Sequence, residues 1–574
     1  MPSGKPLIVQ SDRTVFLEVD HPVFKEARNH LMAFAELEKS PEYVHIYRIT
    51  SLSLWNAAAA GLRVEKILDV LATYGKYPIP SSLRKEIKEF MDRYGQLRLE
   101  QNEGRLELCT ARPEFLEEVL HMKHLRECLT DGKAIVRNGL STTGVKAEFR
   151  GQLKLSLIKV GYPVEDMAGY RKGAPLEIAL RPQLFSGEPF SLRRYQTDAV
   201  DAFYAGGQDA GGSGVIVLPC GAGKTVVGIG VLERVKSQAL ILSTNITALR
   251  QWKRELLEKT SLDETQIAEY SGEKKEIGPI TLTTYQMLTY RKNRFDEFLH
   301  FKLFTARDWG LVIYDEVHLL PAPVFRLTAE IQATRRLGLT ATLIREDARE
   351  DEVFSLIGPR KYDLPWRTLE TQGWIASAKC VEVRVDMPPE VSSNYAIADR
   401  RGKFRISSEN SAKLEVVKNL VKHHRRDRIL IIGQYLDQLK AIRRELGAPL
   451  ITGKTPNGER ERLYTRFRSG QLPVLVVSKV GNFAVDLPDA NIAIQISGTF
   501  GSRQEEAQRL GRILRPKRNG GQAFFYSIVT RASRDQEFSE KRQLFLTEQG
   551  YHYSIRDPQV EDNEKQGVRH QDSA

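Results

Sequence analysis

VIVLPCGAGKTVVGIGVLERV, residues 215–235, sets an apolar run, a glycine turn and a helical stretch in direct succession. The glycines of GAGKT (Gly221 to Thr225) let backbone N–H groups approach an anion closely, and the following helix turns its positive end toward it. Strand, loop, helix is the context a phosphate loop requires. Lys224 is placed to neutralise the β- and γ-phosphates of ATP, and the Thr225 hydroxyl to ligate Mg2+. Strict spacing asks for glycine at 218, where the chain has Leu218. The candidate nucleotide cradle is Pro219, Cys220, Gly221, Ala222, Gly223, Lys224 and Thr225.

Further along, LVIYDEVH ends an apolar run in two carboxylates. Asp315 suits a magnesium ligand and Glu316 a base that orients and deprotonates water. An Asp-Glu pair at a strand end is common, but ninety residues beyond a phosphate loop it points to hydrolysis. A parallel sheet is expected to set its strand beside that of the loop. His318 reads either as a link to the surroundings or as a structural histidine. Upstream in LRRYQ, the Gln196 amide can pair with the N6/N7 edge of adenine, or simply start a helix. LTAT offers Thr340 and Thr342 for relaying nucleotide state, though a plain strand-end turn looks the same.

Downstream, QRLGRILR puts Arg512 and Arg515 three apart on one helical face, supported by Gln508 and Arg509. Alone this is a solvated basic helix. Together with GAGKT and DEVH it becomes a source of positive charge for the γ-phosphate, worth about 10³–10⁵ in rate. A site split in this way belongs to a motor whose lobes close on ATP.

The runs VIVLP, ALILST, ITLTTY, LVIYD and RRLGLTAT, and then ILIIGQ, PLITG, VLVVS, IAIQIS and AFFYSIV, alternate with helical stretches. The expected fold is α/β, two parallel sheets covered on both faces, with ligand groups at the strand carboxyl ends. Residues 1–104 read as an accessory α+β module. Three helices, two closed by Gly61 and Gly75, precede a hairpin turning at Asn102 to Gly104, the order of a winged helix or of a packing module. Residues 105–185 read as a second accessory unit with a helix, short strands such as QLKLSLIKVG, and a loop, VRNGLSTTGVKAEF. The motor lobes take residues 186–380 and 381–556, and 557–574 form a polar, disordered tail.

The chain has 574 residues and a net charge of +12, with a pI near 9.3. That balance suits a polyanion or a merely basic protein. Cys109, Cys128, Cys220 and Cys380 form no CxxC pair, which argues against a cluster, a zinc knuckle or a disulfide framework. No leader and no apolar run near ~18 residues is read, so the expected compartment is the cytoplasm, with no membrane contact. Contacts to a nucleic-acid track are expected to be sequence-tolerant, with candidates Thr244 and Arg250 in STNITALRQW, Thr284 in TTYQ and Lys479 in SKVG. NYAIADRRGKFRIS interleaves Tyr395 and Phe404 with Arg400, Arg401, Lys403 and Arg405, fitting either single-strand stacking or a mobile basic loop.

DEVHLLPAPVFR, RRLGLTATLIRED, LIGPRKYDLPW, SKVGNFAVDLPDANIAIQIS, GSRQEEAQRLGRILRPK and KRQLFLTEQGY resemble the XPB family of superfamily-two helicases over residues 185–555. The xxGxGKT spacing after Pro219 is the variant of such motors. The resemblance implies two RecA-like P-loop lobes, ATP and Mg2+ as cofactors, and 3′-to-5′ DNA unwinding in repair. It implies strand separation by Arg345, Glu346 and Asp347, which spacing alone gives as a salt-bridged surface loop. Residues 105–185 resemble the family's damage-recognition domain more loosely, and 388–410 stand where it has a thumb-like insertion. Implied partners are DNA, as single strand and duplex junction, and a nuclease or repair protein, with a monomer in solution. Translocation on duplex without strand separation is the alternative.

Overall fold

The computed structural model describes residues 4–40, 43–208, 211–219, 221–291, 298–332, 334–341, 350–364, 366–372, 378–478, 490–498, 523–548, 551 and 553–558. The chain folds as two compact units, Met1–Trp366 and Arg367–Ala574.

The first unit opens with an antiparallel sheet of order β1-β2-β4-β3, made of β1 (Leu7–Val9), β2 (Thr14–Glu18), β3 (Glu36–Lys39) and β4 (Val44–Arg48). Helix α1 (Phe24–Leu31) precedes β3, and α2 (Ser51–Ala59), α3 (Val64–Tyr74) and α4 (Ser81–Arg93) follow. Thr50 opens α2 with a capping box, accepting from the Ser53 N–H at 3.0 Å. Gly61 is left-handed as expected, at φ 82°. Gly75 is not: its φ is −74°, and a Cβ there would stand 2.4 Å from the Leu71 carbonyl oxygen. Crowding, not a left-handed turn, selects glycine at 75.

The expected hairpin forms as β5 (Leu97–Asn102) and β6 (Arg105–Thr110), but it does not close the three-helix module. It is the middle of a second sheet of order β7-β8-β6-β5-β9, with β7 (Ile135–Arg137), β8 (Leu140–Val145) and β9 (Val164–Asp166). A boundary at 104 therefore falls in the hairpin turn. The segment VRNGLSTTGVKAEF, expected as a loop, supplies the β7–β8 hairpin. QLKLSLIKVG, expected as strand, is mostly α6 (Arg150–Lys159), which follows α5 (Pro113–His121). Alternating leucines fit either period over so short a run. Arg150 and Lys154, one helical turn apart, both bond Asp166, at 2.6 and 2.8 Å, which a helix permits, whereas a strand would set them about 13 Å apart.

The first motor sheet joins β10 (Ser213–Val217), β11 (Ala239–Ser243), β12 (Ile267–Tyr270), β13 (Ile280–Thr284), β14 (Leu311–Asp315), β15 (Arg335–Thr340) and β16 (Arg360–Asp363). Its order is β12-β13-β11-β14-β15-β10-β16, parallel throughout. The acidic strand β14 is thus not beside the phosphate-loop strand β10; β15, which ends in LTAT, lies between them. Five strands match the apolar runs. The two unforeseen ones, IAEY and RKYD, are the sheet's edges, short and polar as edges tend to be. Helices α7 (Arg194–Tyr204), α8 (Lys224–Val235), α9 (Ile246–Lys259), α10 (Tyr285–Leu288), α11 (Ala322–Glu330) and α12 (Glu350–Leu356) complete the unit. Val215, Leu240, Leu242, Val312, Tyr314 and Val324 lie in its core.

The accessory sheet is anchored on this motor sheet. Gly151 of α6 lies against α11, where a Cβ would reach within 2.4 Å of the Ala329 carbonyl oxygen. Arg150 and Arg336 stand 5.8 and 5.6 Å from the Tyr170 ring centre. Arg336 is fully buried in β15 and donates to the Leu356 carbonyl and the Ser213 hydroxyl, at 2.7 and 3.0 Å.

The second unit holds β17 (Ala378–Val385), β18 (Ile429–Gly433), β19 (Leu450–Ile451), β20 (Val474–Ser478), β21 (Ile492–Gln495), β22 (Ala523–Thr530) and β23 (Tyr553–Arg556). The order is β19-β20-β18-β21-β22-β17-β23, again all parallel. Residues 388–410 are neither loop nor stacking platform. They form α13 (Pro389–Ile397) and α14 (Arg400–Ser408), with Asp399 capping α14 through the Gly402 N–H at 2.8 Å. Phe404 is buried edge-on to Phe538, and the Tyr395 hydroxyl accepts from the Arg534 N–H. Phe404 faces the protein and offers no base-stacking surface, while Tyr395 is half-buried.

Candidate active site

Parallel pairing brings the ends of β10, β11, β13, β14 and β15 to one carboxyl edge, and the motif residues gather there. After β10 the chain runs straight on. Leu218 is buried and donates its N–H to the Thr340 carbonyl at 3.0 Å, so a core leucine fits where strict spacing asks for glycine. The loop then turns through Gly221 and Gly223, at φ 83° and 80°. A Cβ at Gly223 would come within 2.7 Å of the Gln196 amide nitrogen, so only glycine fits this cradle.

Lys224 begins the 12-residue helix α8, whose start has no side-chain cap. The N–H groups of that first turn and the helix dipole favour an anion. Gln196 is buried on α7 and ties that helix to the loop: its nitrogen donates to the Ala222 carbonyl at 3.1 Å, and its oxygen accepts from the N–H of Arg193 at the start of α7. The Tyr195 hydroxyl donates to the same Ala222 carbonyl at 2.9 Å. In this geometry Gln196 shapes the loop.

Lys224 Nζ lies 3.3 Å from Glu316 Oε1, joining the phosphate loop to the acidic pair despite the strand between them. Glu316 takes a left-handed backbone, φ 51° and ψ 54°, which costs a non-glycine residue about 1–2 kcal/mol. Such strain gathers at functional sites. Asp315 Oδ2 accepts from the Ser243 hydroxyl and the Trp252 indole N–H, each at 3.0 Å. The Asp315 carbonyl accepts from the Tyr285 hydroxyl at 2.8 Å. Burial and the neighbouring Glu316 carboxylate push the Asp315 carboxyl up to about 6, against the opposing pull of Trp252, Lys224 and Ser243. His318 is buried, its Nδ1 2.7 Å from the Thr340 hydroxyl and 3.5 Å from Glu316 Oε2. His318 and Thr340, read separately in the sequence, are thus in direct contact.

Glu316 Oε2 is buried with no hydrogen-bond partner among the described residues, and Asp315 keeps a raised carboxyl. No group of three metal-type side chains occurs among the described residues. Mg2+ keeps several waters and takes one or two carboxylates plus phosphate oxygens, so Asp315 and the Thr225 hydroxyl fit it.

The track candidates are less open. Thr244 follows β11, half-buried, its hydroxyl accepting from Asn245 at 3.0 Å. Thr284 ends β13 opposite Ser243 and is buried; its hydroxyl caps α10 through the Met287 N–H at 3.1 Å. Arg250 is exposed and paired with Glu273 at 2.6 Å. Cys220, Thr342, Arg345, Glu346, Asp347, Lys479, Gln508, Arg512 and Arg515 lie outside the described residues. Sequence reading passed over Ser243, Trp252 and Tyr285, although all three sit inside the quoted track motifs.

Residues 369–574 match the family model described as ERCC3/RAD25/XPB C-terminal helicase, residues 7–134 one for a helicase conserved C-terminal domain, and residues 189–345 the type III restriction enzyme res subunit. A protein of Mycobacterium tuberculosis described as DNA 3′-5′ helicase XPB is 54% identical over 553 residues, covering 96% of this chain and 98% of that one. Its counterpart in Kineococcus radiotolerans is 50% identical, with 96% of each chain covered. A Saccharomyces cerevisiae protein, described as the general transcription and DNA repair factor IIH helicase/translocase subunit XPB/SSL2, is 31% identical over 96% of this chain and 72% of its own. The chain belongs to the XPB family of DNA 3′-5′ helicases.

Proposed function

We propose that the chain couples ATP hydrolysis at the carboxyl edge of its first motor sheet to 3′-to-5′ movement along DNA and separation of its strands, in DNA repair. The observation that carries this is the contact of Lys224 with Glu316 beside a half-buried Asp315 held by Ser243 and Trp252. The triphosphate docks on the first turn of α8 and draws Lys224 onto its β- and γ-phosphates, freeing the Glu316 carboxylate to receive a proton. Water oxygen bonds to the γ-phosphorus, the bond to the bridging oxygen breaks, and the water proton passes to Glu316. Mg2+, held through Thr225 and Asp315, would supply charge neutralisation. His318 and Thr340 carry the change at Glu316 into β15. Arg512 and Arg515 supply transition-state charge, Thr244, Arg250 and Lys479 touch the track, and Arg345, Glu346 and Asp347 part the strands.

Translocation on duplex without strand separation is the second reading, favoured by the words helicase/translocase in the yeast relative's description. Strand displacement on 3′-tailed and 5′-tailed duplexes, with ATP hydrolysis followed in parallel, decides. Displacement only of 3′-tailed substrates is expected; hydrolysis without displacement overturns unwinding.

A further inference from the structure

Residues 421–472 hold twelve Lys or Arg against five Asp or Glu, so a stretch of 52 residues carries seven of the chain's twelve net positive charges. The fold collects much of this charge at one place. Ile429, Leu450 and Val474 open β18, β19 and β20, neighbouring parallel strands of the second sheet. The helices Leu436–Leu446 and Asn457–Arg468 both end near this amino edge, with Arg443, Arg444, Arg466 and Arg468 in their last turns. Lys440, Arg443, Arg444 and Arg466 line an open groove of about 530 Å3 there, floored by Pro449 and Leu472, which immediately precede or nearly precede β19 and β20.

Two helix carboxyl ends present about one negative charge between them. Four arginines in those turns exceed it several-fold, so dipole compensation does not account for the cluster. The side chains of Arg443, Arg444 and Arg466 are exposed and bond no acceptor among the described residues. On the first helix Asp437 is engaged with Lys440 and Glu445 with Lys418, and on the second Glu459 and Glu461 lie in its first half, away from the end that carries Arg466. A set of forked donors held together without acceptors fits phosphate oxygens. No aromatic side chain lines the groove, which disfavours a single strand held by base stacking. It also lacks the aromatic anchors of a typical protein-partner hot spot.

We propose that this groove is a second DNA contact, one that takes the phosphate backbone of duplex without reading its sequence. It lies about 16 Å, the length of the five-residue strands β18 and β20, from the carboxyl edge of that sheet. The proposal rests on DNA being the track and adds a separate holding point to it.

The full chain and two variants, R443A/R444A/R466A and R443K/R444K/R466K, test this. Affinity for a long blunt duplex is measured by fluorescence anisotropy across a salt series, beside ATP hydrolysis stimulated by a short single strand. The alanine variant is expected to lose about three units of slope in log affinity against log salt. The lysine variant should keep that slope, and short-strand stimulation should be unaltered in both. An unchanged slope in a normally stimulated alanine variant overturns the groove alone. A parallel fall in short-strand stimulation also overturns it, making the groove part of the main track. Hydrolysis by the wild-type chain without DNA stimulation overturns the motor reading instead.

Discussion

At the scale of single residues, Lys224→Ala and Glu316→Gln are each expected to lower DNA-stimulated ATP hydrolysis by at least 10²-fold with an unchanged unfolding temperature. Robust hydrolysis by Glu316→Gln would remove the base assignment. Trp252→Phe removes the N–H from Asp315 and withdraws the outer indole ring from Gly228, where a Cβ would stand 2.5 Å from Cη2. A hydrogen bond to a charged group is worth about 1.5–3 kcal/mol, so steady-state assays should show about a tenfold or greater loss in kcat/KM for Mg-ATP. Lys224, Asp315 and Glu316 were legible because glycine chemistry and a buried strand ending in acid are local signals. Trp252, Tyr285 and the Gln196 contact to Ala222 were not. They reach the site across 63, 30 and 26 residues of chain, and no spacing rule spans such gaps.

At the scale of elements, apolar runs gave the inner strands of the first motor sheet and β18 to β22 of the second, while the inner strand β17, whose valines alternate with Glu382 and Arg384, and the edges β12, β16 and β23 carry too short an apolar run to stand out. Helix α6 misled because its strongest determinant is a partner elsewhere, Asp166. Burial alone would raise that carboxyl, but the Lys154 ammonium and the Arg150 guanidinium together hold it well below the carboxylate range. A lowered folded-state pKa contributes stability above the unfolded value of about 4 and loses it as pH falls below that. Wild-type unfolding temperature should therefore drop as pH goes below about 4, with a shallower drop in Asp166→Asn. At neutral pH that variant should be about 3–5 kcal/mol less stable, because two buried cations lose their counter-charge. Gly151→Ala pushes α6 off Ala329 and should cost about 1–3 kcal/mol in urea unfolding.

At the scale of the whole molecule, Cys109, Cys128 and Cys380 are buried, each in a separate place, and burial pushes the Cys109 thiol up to about 12. A thiol reagent should label no more than one of the four cysteines in native protein, Cys220, and all four after denaturation. No helix among the described residues is long and apolar enough to cross a membrane. Composition disclosed the basic balance but not its placement, since only strand order and helix direction bring residues 428, 443, 466 and 472 to one edge.

The placing of β15 between the acidic strand and the loop strand has one more result. Thr340 offers its hydroxyl to His318 and its carbonyl to Leu218, so two motifs are sensed by opposite ends of a single residue. On the proposed relay, such a residue would act as a coincidence detector. Movement at the carboxylates or at the phosphate loop alone is resisted by the other bond, and the strand shifts freely only when both change together.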